Sequence, residues 1–408
     1  MTKSFKLLKK CQISNKSNLI KIVSLGKMPL VNSMYSSKKN EPEIFAPLDL
    51  YFCPTSKLVQ LGIILKQDML FPKSYPYTSS TTKILRDNFR QLSTEIEKYD
   101  LINKGDLIID IGSNDGNLLS NFKNNYRVLG VTPETIGKLA IAKGIPTIIN
   151  YFNTKIASLI LKKHGKAKII TATNVFAHID NIGEVIKNIK KILKKDGTFI
   201  SESHYLMPLI KKKQYDTIYH EHLRYYSLTS LNFLFNKFNL EIFNAKKIKT
   251  HGGSIRVYTA FKGKKKPYPI VKSILKEEKI LNLKYLMDFQ NSIVLTKLKL
   301  LSILKKIRIK KFNIAGISAP SRSTTLINYC GLDKDIIDMI FEIKGSKKIG
   351  LNIPGTNITV VEENFVKIKK YKFLIIFSWH IKDQLVSIYK KNGYKGKFII
   401  PLPSPKII

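Results

Sequence analysis

Cysteine and tryptophan are nearly absent from these 408 residues, at three and one, and acids are scarce, with 29 Asp plus Glu against 70 Lys plus Arg. Three scattered thiols, Cys11, Cys53 and Cys330, exclude a disulfide framework and fit a reducing compartment. No apolar run reaches the roughly 18 residues that a membrane span needs, so no membrane partner is expected. The basic start MTKSFKLLKKCQ leads into an apolar stretch broken by Lys21 and Lys27, which argues against a secretory signal. The expectation is a cytoplasmic protein. A formal charge of +41 raises the question of nucleic acid. The lysines, however, run the whole length among abundant Ile and Asn, as in a chain drawn from an A/T-rich genome, instead of gathering in one arm. No nucleic-acid partner is expected, while an anionic substrate such as a nucleoside diphosphate stays compatible.

What is present is enough apolar residue, 44%, to bury more than one core, and the length allows two or three domains. Residues 1–75 lack a long helical period and carry the turn signals GKMP, KKNEPE and CPTS, so a small irregular or β-rich domain is expected. TKILRDNFRQLSTEIEKY, from 82, reads as an amphipathic helix opening a domain over 76–265. There strands (DLIIDIGS, RVLGV, AKIITATNV, TFISES) alternate with helices (GNLLSNFKNN, TIGKLAIAKG, IGEVIKNIKKILKKDG), the pattern of an α/β fold with a parallel sheet. A Lys- and Leu-rich helical connector is expected over 266–311. A second α/β unit follows over 312–408, with FNIAGISAPSRSTTLINYCG, IIDMIFEI, KFLIIFSWH and KFIIPLP.

LIIDIGSNDGNLL places Asp110, Gly112, Asn114 and Gly116 at the first strand-to-helix corner, where glycines let backbone approach a ligand. The spacing is not GxGxxG. Asp110 and Asp115 make the corner acidic, which suits the sulfonium and ammonium of S-adenosyl-L-methionine better than a pyrophosphate. After the next strand a ribose-binding carboxylate is expected, but LGVTPE puts Thr132 there, with Glu134 two residues on as the substitute. TATNVFAHID brings Asn174, Phe176 and His178 to the carboxyl edge of the sheet.

DTIYHEH, 216–222, holds two of only seven histidines. Three readings compete: a metal site using His220 and His222 with His178 or His251, a hydrogen-bonded surface turn, or a catalytic base with helpers. For catalysis, removing a proton α to a ketone calls for a base with a pKa near the working pH and donors for the developing oxyanion, which suit His and Tyr. Tyr75 and Tyr77 of YPYTSS are candidates for lining a substrate pocket. Arg322 of APSRSTT, with Lys347 or Lys348, is a candidate for meeting a diphosphate. Cys330, on an apolar helix, is expected to be buried and inert.

Taken together, LGKMPLVNSMY, YPYTSS, DIGSNDG, NVFAHID, HYL, YDTIYHEHLRYYSL, THGGSIRVY, APSRSTTLINYCG and IPGTNI make nearly the whole chain resemble the sugar C-methyltransferases acting on keto-deoxysugar nucleotides in antibiotic and surface-polysaccharide pathways. The resemblance implies an amino-terminal zinc-binding domain, a central Rossmann-like S-adenosyl-L-methionine domain and a carboxyl-terminal Rossmann-like domain that helps bind the sugar nucleotide. It implies His222 as base, Glu221 as its orienting neighbour, and Tyr219 and His178 as donors to the enolate oxygen. Methylation would fall at C3 of a 4-keto-deoxysugar. The family's two CxxC pairs read here CQIS and CPTS, which leaves Cys11 and Cys53 as remnants opposite Ser14 and Ser56. Tight zinc binding is expected to be lost. The rival readings are an O- or N-methyltransferase of a sugar or small metabolite, and a basic nucleic-acid-binding protein or RNA methyltransferase. The motifs leave oligomeric state open.

Overall fold

The structure, a computed structural model, describes residues 5–36, 43–70 and 79–408. Its amino-terminal strands are β1 (Phe5–Leu7), β2 (Ile20–Pro29), β3 (Phe45–Phe52), β4 (Val59–Leu61) and β5 (Ile63–Leu65). Period-two alternation makes β3 a half-buried strand, with Ala46, Leu48, Leu50 and Phe52 inward. Strands β2, β3 and β4 pair antiparallel into a small sheet, and β1 pairs with β5.

The next unit opens with the helix Lys83–Lys98, whose Leu85, Phe89, Leu92 and Ile96 fall at helical spacing and are buried. Its strands are β6 (Leu107–Ile111), β7 (Arg127–Thr132), β8 (Thr147–Ile149), β9 (Ala167–Thr173), β10 (Leu193–His204), β11 (Arg224–Tyr225), β12 (Leu240–Ile248) and β13 (Ser254–Phe261). Seven of them form one sheet in the order β12–β13–β10–β9–β6–β7–β8. β6 to β10 run parallel, and β13 lies antiparallel between β10 and β12. β6 reads LIIDI and is buried throughout, as a strand covered on both faces must be. Strand order reverses at β6 and β9, so the crevice beyond their carboxyl ends is the place for a ligand.

Two expectations need correction. GNLLSNFKNN does not form a helix but only a 3-10 turn at Leu119–Asn121. Buried Leu118, Leu119 and Phe122 pin the corner, and the Asn-rich run after it has poor helix propensity. The helix begun at Ile182 stops at Ile192, and β10 starts at once, five residues ahead of TFISES.

β11 leaves the large sheet. It pairs with β4 and becomes the edge of the small one, in the order β11–β4–β3–β2. The amino-terminal sheet is thus completed by the chain immediately after DTIYHEH.

Helices Pro269–Glu277 and Leu283–Ile309 form the connector. Between them, buried Glu278 accepts Tyr205 Oη at 2.8 Å and the backbone N–H groups of Leu228 and Thr229 at 2.7 and 2.8 Å. It thereby caps the helix Leu228–Lys237 with a negative charge at its positive end. The last unit consists of β14 (Ile314–Ile317), β15 (Met339–Glu342), β16 (Thr359–Glu362), β17 (Phe373–Ile376), β18 (Lys397–Ile400) and β19 (Lys406–Ile407). Their order is β16–β15–β14–β17–β18–β19, parallel except for β19, with the reversal at β14 and β17. The molecule therefore has the expected α/β class, with two Rossmann-like sheets and a small β unit.

A buried polar network bolts the helix Lys83–Lys98 to the large sheet. Arg256 Nε and Nη1 donate to Glu202 and Glu95 at 2.5 Å each, and Nη2 donates to Asn88 Oδ1 at 2.9 Å. Asn88 returns a bond to Glu202 at 2.9 Å, Tyr258 Oη reaches Glu95 at 2.6 Å, and Lys246 pairs with Glu95 as well. Removing the guanidinium strands the Glu202 carboxylate in a low-dielectric interior and leaves Glu95 to Lys246 and Tyr258, at a cost of about 3–5 kcal/mol. Arg256→Met is therefore expected to lower the thermal midpoint by roughly 6–20 °C. A shift below about 2 °C in a calorimetric scan would contradict this account of the network.

Candidate active site

From the end of β10 the chain runs through His204, the helix Leu206–Lys211 and a 3-10 turn at Tyr215–Thr217 into Ile218–His222 and β11. All three units hold this segment. Gln214 Nε2 donates to Gly252 O at 2.9 Å and Thr217 Oγ1 to Gln214 O at 2.7 Å. His220 Nε2 meets Ala46 O at 3.2 Å, and Leu61 N and Gln12 Nε2 donate to Leu223 O at 3.0 and 3.1 Å. Arg224, fully buried, donates to the carbonyls of Ile179 and Asp180 at 2.5 and 2.6 Å. On the far side Asp216 accepts Arg322 Nε and Nη2 at 2.7 and 2.8 Å and Trp379 Nε1 at 2.8 Å.

The three readings of DTIYHEH separate at this point. His220 turns to the amino-terminal sheet, whereas His222 turns inward to Thr217 O, so the two rings do not share a metal. Among the described residues no three His, Cys, Asp or Glu side chains converge as a metal site. Nor is it a solvated turn, since Asp216, Thr217, His220 and Glu221 are all buried.

His222 sits at the centre of a ring cluster. Tyr219 lies 4.0 Å away between centroids, His178 at 5.0 Å, Tyr225 at 6.2 Å and His204, nearly parallel, at 6.4 Å. His178, His204, Tyr219, His222 and His251 each keep partial exposure among buried neighbours. His222 Nδ1–H donates to Thr217 O at 2.8 Å, which leaves Nε2 with its lone pair. Burial, reinforced by His178 and His204, holds its pKa well below the usual imidazole value. His178 Nδ1–H donates to Glu221 O at 2.6 Å, and burial again pushes its pKa down. Burial and the Arg322 charge bring His204 down to about 3 and His251 to about 4. Burial, with Glu221 and Tyr225, drives Tyr219 well above a free phenol, so it stays a donor.

HGGS now has a physical reason. His251 is left-handed at φ 54°, and Gly252 and Gly253 follow at 88° and 135°. A Cβ on Gly252 would press on Gln214 Oε1 at 2.5 Å, and one on Gly253 on Pro208 Cγ at 2.7 Å. Only bare backbone fits so close to the 206–222 segment. Three contributors went unassigned as site residues in the sequence: His204, whose pairing follows from strand register; Asp216, whose partners lie more than 100 residues away; and Asn32. Asn32 Nδ2 donates to Glu221 Oε1 at 2.5 Å, and its Oδ1 accepts Ser321 Oγ at 2.6 Å, so it links all three units.

Several expected roles shift. The Arg322 guanidinium is committed to Asp216 and to His380 Nδ1 at 3.2 Å, and it stacks 4.9 Å from the Trp379 ring. It works as a latch between units instead of an open diphosphate clamp. Lys347 is exposed on the surface, while its neighbour Lys348 reaches inward, donating to Ala319 O at 2.6 Å. Glu221 presents its backbone carbonyl to His178 and its carboxylate to Asn32. Tyr75 and Tyr77 lie outside the described residues. Cys330 is buried beside Tyr215 Oη, and burial pushes its thiol up to about 11.

The corner after β6 is built for close approach. Gly112 and Gly116 have φ of 79° and 75°, Asn114 is left-handed at 50°, and a Cβ on Gly112 would run into Val175. Ser79 ties down the loop through Asn114 Oδ1 at 2.9 Å and Asp115 Oδ1 at 2.5 Å. Ser113 Oγ and Asn117 Nδ2 are buried there without a partner among the described residues, as polar atoms awaiting a ligand would be. Thr132 donates its hydroxyl to Glu134, which anchors that carboxylate at the carboxyl end of β7. Asn174, left-handed at 57°, stands at the end of β9. Asp110 departs from expectation: it is buried beneath the loop, bonded to Thr171 Oγ1 at 2.6 Å, and burial raises its pKa to about 7. It supports the corner from below and offers no exposed oxygen to a cation.

Three family models follow one another along the chain. One described as "Putative zinc binding domain" matches 11–71, a methyltransferase domain matches 83–244, and a C-methyltransferase C-terminal domain matches 249–403. The C-methyltransferase NovU of Streptomyces niveus is 28% identical over 98% of this chain and 96% of that one. Among solved structures, an S-adenosylmethionine-dependent methyltransferase of Clostridium acetobutylicum matches at 15% identity, covering 45% of this chain and 94% of that one, with TM-score 0.34. The PH0226 protein of Pyrococcus horikoshii matches at 15% identity, covering 48% and 98%, with TM-score 0.35. With all three models in order and a relative matching end to end, the chain carries a methyltransferase domain followed by a C-methyltransferase C-terminal domain and is similar to a C-methyltransferase along its whole length.

Proposed function

We propose that the enzyme methylates a carbon, C3, of a nucleotide-linked 4-keto-deoxysugar by base-assisted enolisation. The observation that carries the reading is His222: a partly exposed, neutral imidazole with Nδ1 fixed on a carbonyl and the Tyr219 and His178 rings beside it. When bound, S-adenosyl-L-methionine supplies the electrophilic methyl group. Ser113, Asn117, Glu134 and Asn174 are the side chains best placed to hold it.

His222 Nε2 takes the proton from the carbon beside the ketone. Tyr219, kept protonated by its surroundings, donates to the oxygen on which charge develops; His178, a neutral ring whose one N–H is spent on Glu221 O, packs beside His222 and is not a second donor to that oxygen. Glu221 acts through its neighbours: its carbonyl orients His178 and its carboxylate holds Asn32. On the facing side, Lys348 and the turn Ser318–Ser321 are suited to a diphosphate. Lys348 is a partly buried ammonium, lowered in pKa by burial against the opposing pull of Glu342 and Glu221, and an arriving anion would restore its charge.

His222→Gln preserves size and hydrogen bonding but removes the base. It is expected to lower kcat by about 10²–10⁴ while cofactor affinity by calorimetry stays at the parent value; parental turnover would remove the assignment. With a ¹³C-labelled methyl donor and a panel of keto-sugar nucleotides, NMR of the product is expected to place the label on a carbon next to the ketone. A label on oxygen or nitrogen would exclude the reading.

All seven imidazoles, His164, His178, His204, His220, His222, His251 and His380, have pKa values lowered chiefly by burial. Below about pH 6.5 the unfolded chain therefore binds protons that the native state refuses. Stability should fall as pH drops from 7 toward 5, by up to about 1.4 kcal/mol per pH unit for each group. A thermal midpoint unchanged across that range would contradict the buried neutral cluster.

A further inference from the structure

The four side chains of CQIS and CPTS come together. Cys11 Sγ lies 3.1 Å from Ser56 Oγ, and Ser14 Oγ lies 3.4 Å from Cys53 Sγ, so each thiol meets the hydroxyl of the opposite turn. The two turns share one geometry. Asn15 N donates to Cys11 O at 3.0 Å and Lys57 N to Cys53 O at 2.8 Å, and Asn15 and Lys57 are both left-handed, at φ 61° and 57°. Each closes with a second backbone bond, Cys11 N to Lys16 O at 2.8 Å and Cys53 N to Leu58 O at 2.9 Å.

These donors do not fit zinc. A structural zinc site takes four thiolate or imidazole ligands, and two neutral hydroxyls bind the ion weakly. What holds the turns together is visible without a metal. Cys11, Cys53 and Ser56 are buried beside Phe52 and Leu58. Gln12 N donates to Gln60 Oε1 at 2.8 Å, and Lys237 Nζ donates to Ile13 O at 2.9 Å from the central unit. The Gln12 side chain reaches Leu223 O, and β4 pairs with β11, so the turns are stapled directly to the segment that carries His222.

We propose that the amino-terminal unit is a metal-free knuckle, in which crossed thiol–hydroxyl hydrogen bonds and docking onto the catalytic segment replace zinc, while the backbone keeps the geometry of a four-thiolate site. Its task is to position the 220–225 segment and Asn32. Two substitutions, Ser14→Cys and Ser56→Cys, would then suffice to create a zinc site.

The test measures metal by mass spectrometry in protein produced with added zinc. The parent is expected to hold fewer than about one zinc per ten chains, and S14C/S56C about one per chain, resistant to EDTA and giving thiolate-to-metal charge-transfer bands with cobalt. Parent activity is expected to be unchanged by chelator. About one zinc per parent chain, released only on unfolding, would overturn the proposal. So would a double variant with parental circular dichroism that takes up no metal, because its four positions would then not converge. Either failure leaves the role of His222 untouched.

Discussion

The Asp216 carboxylate is the joint on which the site depends. It receives both faces of the Arg322 fork and the Trp379 indole, and all three groups are buried. Asp216 lies six residues before His222, while Arg322 and Trp379 stand at the two switch-point strands of the last unit, β14 and β17. A single bidentate pair thus sets the distance between the imidazole cluster and the crevice that faces it. Bidentate geometry gives orientation as well as energy, which a lysine in place of Arg322 would not supply.

The same guanidinium shapes the electrostatics. In a chain of formal charge +41, a buried positive group beside His204 and His251 opposes their protonation. Burial works in the same direction, so the cluster rests neutral in a basic protein. Among the described residues the two carboxylates of this segment are both engaged: Asp216 is neutralised by Arg322, and Glu221 accepts a hydrogen bond from Asn32. Basicity distributed over the surface therefore coexists with a site of compensated pairs and neutral rings. The amino-terminal unit serves this arrangement mechanically, through Asn32, the Leu223 carbonyl and the shared edge strand.

Much of the fold was legible in sequence because its signals are local. LIIDI, RVLGV and AKIITAT are apolar runs of strand length between helical periods, and they became β6, β7 and β9. The corner glycines were readable for the same reason, as positive φ leaves few alternatives. DTIYHEH stood out by composition, and the structure made His222 central while sending His220 elsewhere, which alternate spacing alone does not reveal. Arg322 and Lys347 were misjudged because charge in a sequence carries no information about partners: Asp216 lies 106 residues from Arg322, and whether Lys347 or Lys348 faces inward depends on one loop. Asp110 looked like a cofactor contact by position, but its strand register turns it toward Thr171. The exchange of β11 between sheets was invisible because two residues carry no period.

The central claim is that His222 removes a proton from carbon, and solvent exchange reads this step without methyl transfer. The enzyme, with S-adenosyl-L-homocysteine filling the cofactor site, would be incubated in D₂O with a nucleotide-linked 4-keto-deoxysugar and followed by proton NMR at C3. The account predicts loss of the C3 proton signal with the parent and its persistence with His222→Gln. Exchange that proceeds equally in the variant, or a C3 proton untouched by a parent enzyme that methylates the same sugar, would contradict it.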